Sequence, residues 1–144
     1  MFGNDEVMLN LANLLDHTGL RIVFELYIIR SWDGNINPDL WQFKVDGQSL
    51  LRTTFDNQDY YSDHSQSYPA NFGEGSNPPR TGANENNTLG YKFDNRPMDA
   101  IYVFSFTIPH SLTTLQLSFK ASGLTADFLD EGWGIDNVYI YTIK

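Results

Sequence analysis

The chain has 144 residues, of which 41% are hydrophobic and 15% aromatic, with no cysteine. That is enough apolar material for one domain with its own core, and it excludes a disordered chain, a disulfide framework, a zinc–thiolate site and a thiol nucleophile. Nine basic residues against 18 acidic ones leave a net charge of −9, which argues against nucleic acid or an anionic membrane as partner, because both repel such a surface.

In chain order the pattern is that of strands. Val7 to Leu11 reads as a short strand, with at most a helical turn between Leu11 and Asp16. Arg21 to Arg30 is the clearest strand, rich in β-branched and aromatic residues. Leu40 to Val45 alternates, with Trp41, Phe43 and Val45 on one face. Asp46-Gly47 is a hairpin signal, and Gln48 to Phe55 is the return strand. Asp56 to Arg96 is rich in Asn, Asp, Ser, Gly and Pro and reads as a long functional loop with a candidate strand at Thr88 to Phe93. Ala100 to Ile108, Thr114 to Ala121 and Gly134 to Ile143 complete the set. About eight strands without βαβ alternation predict an all-β antiparallel sandwich of jelly-roll type, built as a single module over 1–144.

The acids gather at the ends of these strands. The loop Ser31-Trp32-Asp33-Gly34-Asn35-Ile36-Asn37-Pro38-Asp39 offers oxygen donors at two-residue spacing. Calcium takes about six to eight oxygens from carboxylates, amides and carbonyls, so this spacing suits it. The loop lacks the bidentate Glu and the flanking helices of a helix–loop–helix calcium site. A second group, Asp127, Asp130, Glu131 and Asp136, precedes and enters the last strand. The last strand of a sandwich commonly lies near an early one, so the two groups are expected to share one calcium site. Its candidate ligands are Asp33, Asn35, Asp39, Asp130, Glu131 and Asp136. The plain alternative is that the acids cap turns through their own backbone. Magnesium fits less well, since it keeps most of its waters, and His17, His64 and His110 have no ligand spacing for zinc.

Phe24 to Asn35 followed by Pro38-Asp39-Leu40-Trp41, and above all Asp130-Glu131-Gly132-Trp133-Gly134-Ile135-Asp136-Asn137-Val138, resemble a lectin-like (concanavalin- or MAM-like) jelly-roll module of bacterial secreted and surface-anchored proteins. The resemblance runs in order through Leu51 to Phe55, Gln66 to Pro69, Pro79 to Ala83, Thr88 to Tyr91 and Phe106 to Ser111. It implies a sandwich, an extracellular or cell-surface location and a non-catalytic role. Glu25 stands where the family pattern has Asp, and Gly132 where it has Ser. The family also carries strand sequence ahead of the segment that begins here at Phe2, so an N-terminal strand is expected to be missing. A sandwich without it exposes an edge and invites self-association. No secretion leader is visible, because Asp5 and Glu6 stand where its apolar stretch should run.

Two functions follow as expectations. The first is carbohydrate binding or adhesion, with Tyr60, Tyr61, Tyr68, Trp32 and Trp133 as ligand-binding candidates; of these, Trp32 and Trp133 also suit the walls of the metal loops. The second is a structural subunit of a surface fibre, with a neighbouring surface protein in place of the glycan. An enzyme is not expected. A glycosidase pair such as Glu25 with Glu131 would sit among the metal ligands. Ser111 directly follows His110, and no Gly-x-Ser-x-Gly is present.

Overall fold

Alternation of apolar and polar residues decides which face each strand turns inward. In β3 (Leu40–Val45) the residues Trp41, Phe43 and Val45 are buried and their neighbours are not. In β2 (Gly19–Arg30) Leu20, Ile22, Phe24, Leu26 and Ile28 form the buried row, and Gly19 and Ile29 near the strand ends are buried too. The computed structural model describes every residue except Ala126 and Phe128. Among the described residues there is no helix, and so none long and apolar enough to cross a membrane.

The remaining elements are β1 (Glu6–Ala12), β4 (Gln48–Thr54), β5 (Glu85–Asn86), β6 (Lys92–Phe93), β7 (Arg96–Pro97), β8 (Asp99–Pro109), β9 (Thr114–Ser122) and β10 (Glu131–Ile143). One antiparallel sheet has the order β1-β9-β3-β4 and the other β10-β2-β8-β5, while β6 and β7 form a small hairpin. The two large sheets make a β-sandwich around an aromatic centre. Phe24 packs against Phe43, Phe104 and Phe119 with centroids 4.9, 5.1 and 5.1 Å away. Trp41 lies 5.9 Å from Phe104 and 6.4 Å from Trp133.

The hairpin at Asp46-Gly47 forms as its sequence predicts. Both residues take positive φ, 48° and 79°, the left-handed pair that matches the twist of the flanking strands. Three expectations change. The Leu11 to Asp16 stretch makes no helical turn, and β1 runs on to Ala12. The candidate strand at Thr88 to Phe93 shrinks to Lys92–Phe93, because the Asp99 carboxylate takes the Leu89 and Tyr91 amides, each at 3.1 Å. The last strand starts at Glu131 rather than Gly134, because pairing with β2 continues to Arg30 opposite Glu131.

The polar segment between β4 and β5 is packed against the sandwich. Gln66, fully buried, accepts the amides of Asp56 (3.1 Å) and Arg80 (2.9 Å) through Oε1. Its Nε2 donates to the carbonyls of Tyr68 (3.2 Å) and Thr81 (3.0 Å). One amide side chain thus ties together turns that lack a ladder of their own.

Candidate metal centre

β2 ends at Arg30, whose φ of 66° breaks the strand. The chain then dives inward. Trp32 is fully buried and its indole N–H donates to the Gly132 carbonyl at 2.8 Å. That contact sets the β2–β3 loop against the start of β10. Gly34 turns the loop back with φ 63°, and the Asn35 amide donates to the Ser65 carbonyl at 2.8 Å. Asp39 then leads into β3.

Asp33, Asp39 and Glu131 converge as a result. One carboxylate oxygen of each lies within 4.8 Å of one from each of the others. Oxygens on opposite sides of one calcium ion are about 5 Å apart, twice the usual bond length, so the spacing suits a shared cation. Asp39 and Glu131 are 1% and 2% exposed. Asp39 Oδ2 accepts the Asp33 amide at 2.6 Å, and Glu131 Oε2 accepts the Thr125 amide at 2.6 Å.

This closeness is electrostatically costly. Burial first, and then repulsion from Glu131, Asp33 and Asp56, push the Asp39 carboxyl up to about 8 against the hydrogen bond from Asp33. Burial first, then Asp130 and Asp33, push Glu131 up to about 7, with the Thr125 amide opposing. Burial also raises Asp56 to about 6 against its bonds from Gln58 and His64. A group raised in the folded state holds its proton more tightly there than in the unfolded chain. Its contribution is therefore fully present below the ordinary carboxylate range and is lost as pH climbs through the raised value. In chelator, the melting temperature is expected to fall from about pH 4.5 to about pH 8, spanning the ordinary carboxylate value and the three raised ones. A scan of melting temperature against pH that is flat or rising over that range would refute the clustered carboxylates.

Of the other expected ligands, Asp130 adjoins the cluster, while Asn35 and Asp136 turn to other partners. Asn35 spends its amide on the neighbouring loop: Oδ1 accepts from Thr54 Oγ1 (2.6 Å) and Ser67 Oγ (2.8 Å), and Nδ2 donates to Ser65 Oγ (3.2 Å). Asp130 stands beside the cluster, with its carboxylate bound by the Ser31 hydroxyl and by Thr125 Oγ1 at 3.0 Å. Asp136 is exposed on the outer face of β10, paired with Glu25 and approached by the Tyr27 hydroxyl at 3.5 Å. At about 3.3 Å per residue it is roughly 16 Å along the strand from Glu131, so it is not part of the centre.

The aromatic candidates also divide. Trp32 and Trp133 are fully buried and cannot offer a ring face; their indole N–H groups donate to the Gly132 and Gly3 carbonyls. Tyr68 is half-buried against Phe55, Tyr102 and Phe104, with centroids 5.1, 5.3 and 5.5 Å away. Tyr60 and Tyr61 are exposed neighbours, with centroids 4.3 Å apart. The Arg96 guanidinium sits 4.3 Å over Tyr60, and Tyr61 lies 4.9 Å from His64. His64 in turn meets the buried Asp56 carboxylate at 3.0 Å. An open groove of about 490 Å³ runs beside Tyr61, His64, Asn77 and Pro79.

The residues missed from sequence are Asp56, Asn57 and Gln58, all buried. Asn57 Nδ2 donates to the carbonyls of Ile28 (3.0 Å) and Arg30 (2.9 Å). Gln58 Nε2 donates to the Ser31 carbonyl at 2.9 Å and to Asp33 Oδ1. Gln58 Oε1 accepts the Tyr60 hydroxyl at 3.1 Å. Only their place directly after β4 distinguishes them from an ordinary polar loop.

No protein-family model, curated protein or solved structure matches the chain.

Proposed function

We propose that this protein is a non-catalytic extracellular module that binds carbohydrate, with calcium held by Asp33, Asp39 and Glu131 to fix the loop that carries Tyr60 and Tyr61. The observation that supports this reading is the Gln58 side chain, which reaches Asp33 with one end and the Tyr60 hydroxyl with the other. A cation that fixes Asp33 fixes Gln58, and Gln58 fixes the tyrosine. Tyr61, backed by Tyr60, then lines a groove bordered by hydroxyl, amide and carboxylate groups, the donors and acceptors a sugar needs.

The test is affinity electrophoresis through a panel of neutral and acidic polysaccharides, run in calcium and in chelator. Retention on at least one polysaccharide in calcium is expected, and chelator should abolish it. Tyr60→Ala and Tyr61→Ala should each weaken retention roughly tenfold, the size of one lost ring contact, with melting temperature unchanged. Retention that survives both substitutions would remove the tyrosine pair from the site.

One observation favours a structural subunit instead. Among the described residues, the outer edge of β10 is paired only at Trp133, by Phe2, whose amide donates at 2.8 Å. Beyond it Tyr139, Tyr141 and Ile143 are exposed. Oligomers that grow with protein concentration, together with no polysaccharide retention, would favour that reading.

A further inference from the structure

At the end of the sandwich remote from the acidic cluster, two histidines meet. His17 lies in the β1–β2 connection and is 8% exposed. His110 follows β8, and its side chain is 5% exposed. Their ring planes differ by only 11°, with centroids 5.0 Å apart, and Nε2 of His17 stands 2.7 Å from Nδ1 of His110. The rings therefore touch edge to edge along a nitrogen lone pair, as a hydrogen bond requires. Both outer nitrogens are engaged as well. His17 Nδ1 meets the Leu15 carbonyl at 2.6 Å, and His110 Nε2 meets Asp46 Oδ2 at 3.0 Å. The other Asp46 oxygen accepts the Gln116 amide at 2.8 Å.

The protons in this chain can be counted. A carbonyl and a carboxylate only accept, so both outer nitrogens carry hydrogen. The inner contact needs one N–H and one bare nitrogen. The closed arrangement thus holds three ring protons where two neutral imidazoles hold two, and its single positive charge faces the Asp46 carboxylate. A fourth proton sets two N–H groups against each other across 2.7 Å. Loss of the third leaves either two bare nitrogens facing each other or one bare nitrogen facing the carboxylate or the carbonyl, acceptor against acceptor in every case.

We propose that His17, His110 and Asp46 form a clasp that closes in one protonation state only, and that it releases the β1–β2, β3–β4 and β8–β9 connections on either side of a pH window. Lys44 in β3 lies two residues before Asp46, and Asp16 and Lys144, with Leu15, His17 and Thr18, line a cavity of about 530 Å³ at this end. Asp46 and His110 border a second, of about 410 Å³. Release of the clasp changes access to both.

The experiment is a double-mutant cycle of His17→Gln and His110→Gln, read as melting temperature from about pH 4 to about pH 9. Coupling between the two positions is expected to peak inside the range and to vanish at both ends. Asp46→Asn adds the decisive arm. An Asn amide can keep the Gln116 bond through its oxygen and donate to a bare His110 Nε2, so the clasp then closes with two ring protons. The loss of coupling on the alkaline side should disappear in that background. Coupling that is flat with pH, or an alkaline loss that survives Asp46→Asn, overturns the clasp. Should the glutamine variants fail to fold, ring nitrogen-15 spectra of the intact protein recorded across the same pH range decide the matter: a stretch of that range with one bare nitrogen in the pair is expected, and a direct passage between two bare nitrogens and none would refute the proposal.

Discussion

In chelator at pH 8, Asp39→Asn is expected to melt a few degrees above the unaltered protein, and in excess calcium it is expected to melt below it. The first half follows from burial. Asp39 is 1% exposed and its carboxyl is raised to about 8, chiefly by desolvation, so without a cation its charge opposes folding in alkaline solution. Asparagine has the same shape, carries no charge and can still accept the Asp33 amide. The second half follows from the ligand that is lost. A cation bound only by the folded state stabilises it by about 2.7 kcal/mol at a hundredfold excess over its dissociation constant, roughly 10 °C for a chain of this size. Removing a buried charged ligand should erase most of that rise. Asp136→Asn serves as the control, because its side chain lies on the outer face beside Glu25, and its calcium response should be intact. A full response in Asp39→Asn, or its loss in Asp136→Asn, would show that the cation sits elsewhere.

Gly34→Ala should destabilise the protein more than alanine at any exposed turn glycine. Gly34 has φ 63°, and an added Cβ would press on the Ser65 carbonyl oxygen and lie 2.6 Å from Asp56 Oδ2. Neither neighbour can yield: one is backbone, and the other is a buried carboxylate already bonded to Gln58 and His64. Left-handed strain and overpacking together should cost about 2–5 kcal/mol. Gly47 has φ 79° with nothing within 4 Å of the same added atom, so Gly47→Ala measures the backbone term alone at about 1–2 kcal/mol. Urea unfolding of the two variants gives the comparison. Equal losses would mean that the Gly34 loop is not pressed against Asp56.

The strands were legible because a period of two assigns faces without tertiary knowledge: Trp41, Phe43 and Val45 are core both by pattern and by burial. Asp33 and Asp39 were legible as donors in one loop, and Glu131 as the acid at the entry to the last strand. Asn35 was misread because the turn at Gly34 points it towards Ser65 and Ser67, which spacing alone cannot reveal. Asp136 was misread because closeness in sequence along an extended strand is distance in space. The buried run Asp56-Asn57-Gln58 was hidden by composition. It is polar because it supplies hydrogen bonds to strand ends and to Asp33, and polar residues after a strand look the same whether they face water or the core.

Glu131 lies opposite Arg30 in the β10–β2 ladder, so the acidic cluster joins the first third of the chain to its last strand. A nascent or clipped polypeptide that stops short of Glu131 would have only two of the three carboxylates and no neighbour for that edge of β2. If the proposed centre binds calcium, such a fragment should lack the calcium response expected of residues 1–144. On the proposed reading, cation binding then requires β10 to be docked on β2, and shortage of the ion would loosen that ladder first at its Glu131 end.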